Sequence, residues 1–120
     1  MLVRSLKECP EFIAGDKTKI RELLHPDKAD VKLDYSLAHA TLEPGEISAL
    51  HTLNTSEVYY ILSGRGRMEI EGEFRDVAAG DTVYIPPLGR QRIEALGEEK
   101  LAFLCIVCPA WRAEDESVLE

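Results

Sequence analysis

Positive charge is the first thing this chain is short of. Its 14 Lys and Arg stand against 22 Asp and Glu, a formal net charge of −8 at neutral pH. Neither a phosphate backbone nor an anionic lipid surface is attracted to such a chain overall, and no basic run offers a local exception. Nucleic acid and membrane are thereby excluded as expected partners. Apolar runs are short as well. None approaches the ~20 residues needed to span a bilayer, and the opening stretch MLVRSLKECPEF lacks the continuous apolar core of a secretion signal. A cytoplasmic location is the expectation. Cysteine is sparse, with only Cys9, Cys105 and Cys108, and an odd count without a spacing framework excludes a disulfide scaffold. Cys105 and Cys108 form a C-x2-C, yet they sit in the apolar run LAFLCIVC. In a strand, residues three apart point to opposite faces, and no second pair completes a four-cysteine zinc site. Linkers, repeats and low-complexity tracts are missing too. The 120 residues therefore read as one domain, large enough to bury roughly two thirds of its unfolded surface.

What is present is mostly period-two patterning. Residues 1–34 read as an arm whose KIRELL segment forms a short helix, capped by Asp16 or Thr18 and ended by Pro26, with Ile20, Leu23 and Leu24 on its apolar side and His25 exposed at its end. Such an arm would cover a sheet edge that otherwise templates aggregation. Residues 35–110 read as a barrel. KLDYSLAHATL puts Ser36, Ala38, Ala40 and Leu42 on one side, with His39 outward, and the small Ala38 and Ala40 leave room in a crowded interior. The strand from Glu57 sets Glu57, Tyr59 and Ile61 on one face, RMEIEG turns Met68 and Ile70 inward after a Gly64-Arg65-Gly66 hairpin, and the last long strand aligns Leu101, Phe103, Cys105 and Val107. Residues 111–120 read as an acidic tail whose Trp111 packs on the barrel or across an interface. Short strands with Gly and Pro turns, and almost no helix after residue 30, predict an all-β double-sheet barrel.

A carboxylate on a mostly apolar strand costs several kcal/mol to bury unless something pairs with it. Glu57 is such a residue, and His51 is its obvious neighbour in sequence. The spacing around the two resembles the first motif of the cupin family, G-x5-H-x-H-x3-E-x6-G, with Gly45, His51, Glu57 and Gly64 in place and Leu53 where the second histidine would stand. The second cupin motif, G-x5-P-x-G-x2-H-x3-N, resembles Gly80 to Ala95: Gly80 and Pro86 match, whereas Leu88, Gln91 and Ala95 replace the glycine, the histidine and the asparagine. The resemblance implies a double-stranded β-helix, or jelly roll, with an end-accessible pocket, and often a homodimer, which the Trp111 tail and edge strands also favour. It implies that Phe103 and Cys105 line the pocket, and that His51, Glu57 and Gln91 form a reduced ligand set for a divalent ion such as zinc, iron, manganese or nickel.

Two functions follow. In one, the chain binds a small polar metabolite in a pocket of Ala38, Ala40, Leu53, Tyr59, Met68, Phe103 and Cys105, with Gln91, Glu57 and His51 as hydrogen-bonding groups and Arg90 or Arg92 at the mouth. In the other, it is a metal-dependent enzyme of oxygenase, isomerase or lyase type, in which the His51/Glu57/Gln91 ion polarises a substrate oxygen and Tyr59 is the candidate acid or base. Tyr59 also reads as a core phenol, and Cys105 as an inert buried thiol. Met68, Leu53 and Phe103 could alternatively fill the pocket and leave it vestigial.

Overall fold

Alternation in sequence becomes alternation in burial. A computed structural model describes all 120 residues. In β3 (Ser36–Leu42), residues Ser36, Ala40 and Leu42 are buried. In β10 (Leu101–Cys108) the buried set includes Leu101, Phe103, Cys105 and Val107, and in β5 (Ser56–Ser63) it is Glu57, Tyr59 and Ile61. These three strands lie side by side, β10 between the other two, with Phe103 opposite Ala40 on one flank and Ile61 on the other. The remaining strands are β1 (Glu11–Ile13), β2 (Lys19–Leu24), β4 (His51–Leu53), β6 (Arg65–Ile70), β7 (Glu73–Ala78), β8 (Thr82–Ile85), β9 (Gln91–Leu96) and β11 (Glu116–Val118). They form two antiparallel sheets, ordered β1-β2-β3-β10-β5-β8 and β11-β4-β9-β6-β7. The chain passes repeatedly from one sheet to the other, which is the double-sheet jelly-roll solution to closing a β domain. Met68, Ile93, Ala95 and Val77 from the second sheet meet Phe103, Ile61, Leu42 and Leu101 from the first in a core of twelve buried residues.

Gly64 is needed at one of the crossings. Its φ is +80°, and a Cβ built there would lie 2.5 Å from the Lys100 carbonyl oxygen. The Gly64-Arg65-Gly66 turn is therefore a corner between sheets: β5 and β6 belong to different sheets, and the hairpin expected there is not formed.

The N-terminal arm differs from expectation in a second way. KIRELL is a strand, β2, and helix in this arm is limited to a 3-10 turn at Leu6–Glu8. A six-residue segment has too few internal hydrogen bonds to hold a helix, whereas the open edge of β3 offers a ladder. Ile20 pairs with Ala40 and Glu22 with Ala38, and a bulge follows before Leu24. Asp16 caps no helix. Its Oδ1 accepts from the Thr18 backbone N–H at 3.1 Å and the Thr18 hydroxyl at 2.6 Å, closing the β1–β2 hairpin. His25 is not on the surface either, being 6% exposed. Its Nδ1 accepts from the Asp27 N–H at 3.0 Å, so Nε2 carries the proton and donates to the Trp111 carbonyl at 2.7 Å. That bond, with Trp111 N–H donating to Ser36 Oγ, fastens the C-terminal segment to the barrel. The segment then forms a 3-10 turn at Ala113–Asp115 and adds β11 to the edge of β4, Glu116 opposite Leu53 and Val118 opposite His51. No helix is long and apolar enough to cross a membrane.

Candidate functional site

Between the sheets, where the β1–β2 hairpin, β4, β5 and the C-terminal strand converge, lies a cavity of about 190 Å³. Its apolar wall includes Ile13, Ile20, Leu53, Phe103 and Val107, and its polar end includes Asp16, Thr18, His51, Glu57 and Glu116. The hairpin that holds Asp16 and the strand that holds Glu116 lie outside the motif-bearing strands. Both chain ends thus complete a site begun by β4 and β5.

His51 is 2% exposed. Its Nδ1 lies 2.7 Å from the Ala49 carbonyl oxygen; a carbonyl only accepts, so Nδ1 carries the proton and Nε2 faces the cavity. Nε2 stands 3.6 Å from Asp16 Oδ2. Ligand atoms of Asp16, His51 and Glu116 all lie within 4.8 Å of one another, close enough that the three could hold a metal ion. Burial, followed by the Asp16 charge, pushes the Glu116 carboxyl up, and His51 partly opposes this.

Glu57 and Gln91 are occupied with each other. Gln91 Nε2 donates to Glu57 Oε1 at 3.0 Å, and Gln91 Oε1 accepts from the Tyr59 hydroxyl at 3.1 Å. Gln91 is fully buried and contributes nothing to the cavity surface. Desolvation is the main cause that raises the Glu57 carboxyl from 4.5 to about 8, against the pull of the Gln91 hydrogen bond and with the help of the Asp16 and Glu116 charges. Around neutrality Glu57 is therefore a neutral acid. The Tyr59 phenol is driven well above its ordinary value, first by burial and then by Glu57, and its ring packs on Phe103 at 4.5 Å between centroids. Burial likewise raises the Cys105 thiol. Both groups hold their protons, so Tyr59 is a poor proton donor and Cys105 a weak nucleophile.

Of the residues picked from sequence, Ala38, His51, Leu53, Glu57, Tyr59, Phe103 and Cys105 line the cavity. Ala40 and Met68 do not; both belong to the closed core. Arg90 and Arg92 are away from the cavity, held by Glu71 at 3.0 Å and by Glu69 and Glu120 at 2.6 and 2.9 Å. His39 is on the outer side of β3, opposite Arg21 and Leu104. Asp16, Thr18 and Glu116 were missed. Asp16 carried the signal of a cap, Glu116 only that of an acidic tail, and no spacing rule joins positions 16, 51 and 116.

This fold and the retained motif residues define a class. The chain belongs to the cupin family, whose domain model matches residues 38–107. It is 44% identical over 111 residues to the uncharacterized protein MJ1618 of Methanocaldococcus jannaschii, a match covering 91% of this chain and 87% of that one. It is 36% identical over 109 residues to oxalate decarboxylase OxdC of Bacillus subtilis, covering 84% of this chain but only 27% of OxdC. A Streptomyces PAC13 structure with uridine superposes with a TM-score of 0.80 at 19% identity, covering all of this chain and 92% of the other. Another PAC13 structure is described as a nucleoside dehydratase.

Proposed function

We propose that this cupin binds a small, polar, uncharged or cationic metabolite in the cavity between its sheets. The observation that carries the reading is the charge of the walls. Among the 19 lining residues there is no Lys and no Arg, whereas Asp16 and Glu116 contribute carboxylates, Glu22 contributes one that Lys28 pairs at 2.7 Å, and Glu57 contributes a carboxyl that keeps its proton. An anion entering here meets carboxylates and no compensating cation, and burying a charge unpaired costs several kcal/mol. Hydroxyl or amine groups find acceptors in Asp16 and Glu116 and a donor in the protonated Glu57. The faces of Phe103 and Tyr59 can cover the apolar side of a ring. Uridine, the molecule held by the Streptomyces relative, is uncharged and of this kind.

A second reading has a specific observation behind it. A carboxyl that keeps its proton to about pH 8 and lines the cavity has the property required of a general acid near neutrality. In that case the bound metabolite is a substrate, Glu57 its proton donor, and Tyr59 a residue that positions Glu57 through Gln91.

Leu53→Trp places an indole where the second motif histidine is missing and fills the cavity. In a ligand-observed NMR screen of small metabolites run on chelator-treated protein, the wild type is expected to return polyols, nucleosides or amines, and the variant to lose them while keeping its folded circular dichroism spectrum. Hits dominated by carboxylates and phosphates, or hits untouched by Leu53→Trp, would contradict the reading.

A further inference from the structure

We infer that Asp16, His51 and Glu116 form a divalent-cation site, with one ligand drawn from the N-terminal hairpin, one from β4 and one from the C-terminal strand. The ion that cupin motifs ordinarily imply does not fit the motif positions of this chain. Leu53 donates nothing, and Gln91 presents its amide N–H to Glu57 while its oxygen accepts from Tyr59. An N–H cannot ligate a metal, and the Gln91 side chain lies behind the cavity wall.

Around His51 the fit is better. Its Nδ1–H is anchored on the Ala49 carbonyl at 2.7 Å, the outer-shell bond that orients a ligating imidazole and leaves Nε2 for the metal. The side chain is 2% exposed, and Nε2 has no hydrogen-bond partner; the nearest anionic atom, Asp16 Oδ2, is at 3.6 Å. This nitrogen, at the cavity surface of an otherwise buried side chain, stands beside the two carboxylates. Asp16 is oriented as a ligand should be, with Oδ1 spent on the Thr18 N–H and hydroxyl and Oδ2 turned inward. Glu116 takes part in no side-chain hydrogen bond or ion pair, and the β11–β4 ladder sets its backbone opposite Leu53. Two carboxylates facing each other on a cavity wall with no Lys or Arg have only the His51 imidazole beside them, and a dication supplies the counter-charge that one imidazole does not.

One imidazole and two carboxylates suit manganese, iron, cobalt or zinc better than magnesium or calcium, which favour all-oxygen shells. Three protein ligands leave open positions for water or for a ligand oxygen. An ion there ties both chain ends to the barrel.

The test uses the full chain stripped by chelator and titrated with manganese or zinc chloride alone, with stoichiometry from equilibrium dialysis and elemental analysis and affinity from calorimetry. One ion per chain is expected, together with a rise in melting temperature on loading. Asp16→Asn and Glu116→Gln should each weaken binding at least about tenfold, whereas Glu57→Gln should stay near wild type. Glu116 is on an edge strand, so its variant remains informative if Asp16→Asn loosens the hairpin. No stoichiometric ion in the wild type, or wild-type affinity in Glu116→Gln, overturns the site. Loss in Glu57→Gln with retention in Glu116→Gln moves the ion to the motif positions and overturns it equally. Because no organic ligand is present, failure here is separate from failure of metabolite binding.

Discussion

Between pH 4.5 and about 8, the wild-type protein is expected to lose on the order of 4 kcal/mol of folding stability through one residue, and Glu57→Gln is expected to abolish that loss. The unfolded Glu57 carboxyl releases its proton near 4.5, while the folded one keeps it to about 8. Across that window the native state holds one more proton than the unfolded state, so stability falls as pH rises, by about 1.4 kcal/mol per unit. The contribution is fully present below 4.5, declines through the window, and levels off above about 8. Glutamine mimics the protonated acid in shape and can still accept from Gln91, but it has no proton to lose. Urea unfolding of both proteins in chelator at several pH values checks this, the difference between the two curves isolating Glu57 from every other titrating group. Parallel curves would mean that Glu57 is ionised in the native state at neutral pH.

Gln91→Ala is expected to cost about 4 kcal/mol, and Gln91→Met about 2. Gln91 is completely buried and serves Glu57 and Tyr59 together. Alanine removes both hydrogen bonds and opens a void beside the core; methionine removes the bonds but keeps most of the volume. The step between the two variants measures packing, and the cost left in Gln91→Met measures the buried polar chain. Denaturant midpoints at pH 6, where Glu57 is protonated, give both quantities. A Met variant as stable as wild type would show that the Tyr59–Gln91–Glu57 chain contributes nothing to the fold.

The sequence revealed the barrel more readily than it revealed the site, for physical reasons visible in particular residues. Inward-facing sets such as Leu101, Phe103, Cys105 and Val107 announce themselves because strand side chains alternate strictly and one face must be apolar. Gly45, Gly64, Gly80 and Pro86 mark turns because few residues suit those backbone positions, and Gly64 meets the Lys100 carbonyl as well. KIRELL misled because its apolar spacing fits a helix, while its fate was settled by the unpaired edge of β3, a tertiary fact. His25 misled for a similar reason: its partner is the Trp111 carbonyl, 86 residues away. His51 and Glu57 were legible through the motif. Their partners were only half so, since Gln91 could be placed by its motif position, but not the direction in which its amide would point. Asp16 and Glu116 were invisible as a pair, because only the docking of both chain ends beside β4 brings them within reach of His51.

The selectivity of the cavity for charge can be measured on one scaffold. Calorimetry of the chelator-treated protein with three ligands of matched size, an uncharged polyol or nucleoside, its amine analogue and its carboxylate or phosphate analogue, compares them directly. The uncharged and amine members should bind at least about tenfold more tightly than the anion, with the amine gaining further at low salt. Tightest binding by the anion, in a cavity with four glutamate and aspartate side chains and no Lys or Arg on its walls, would contradict the proposed function.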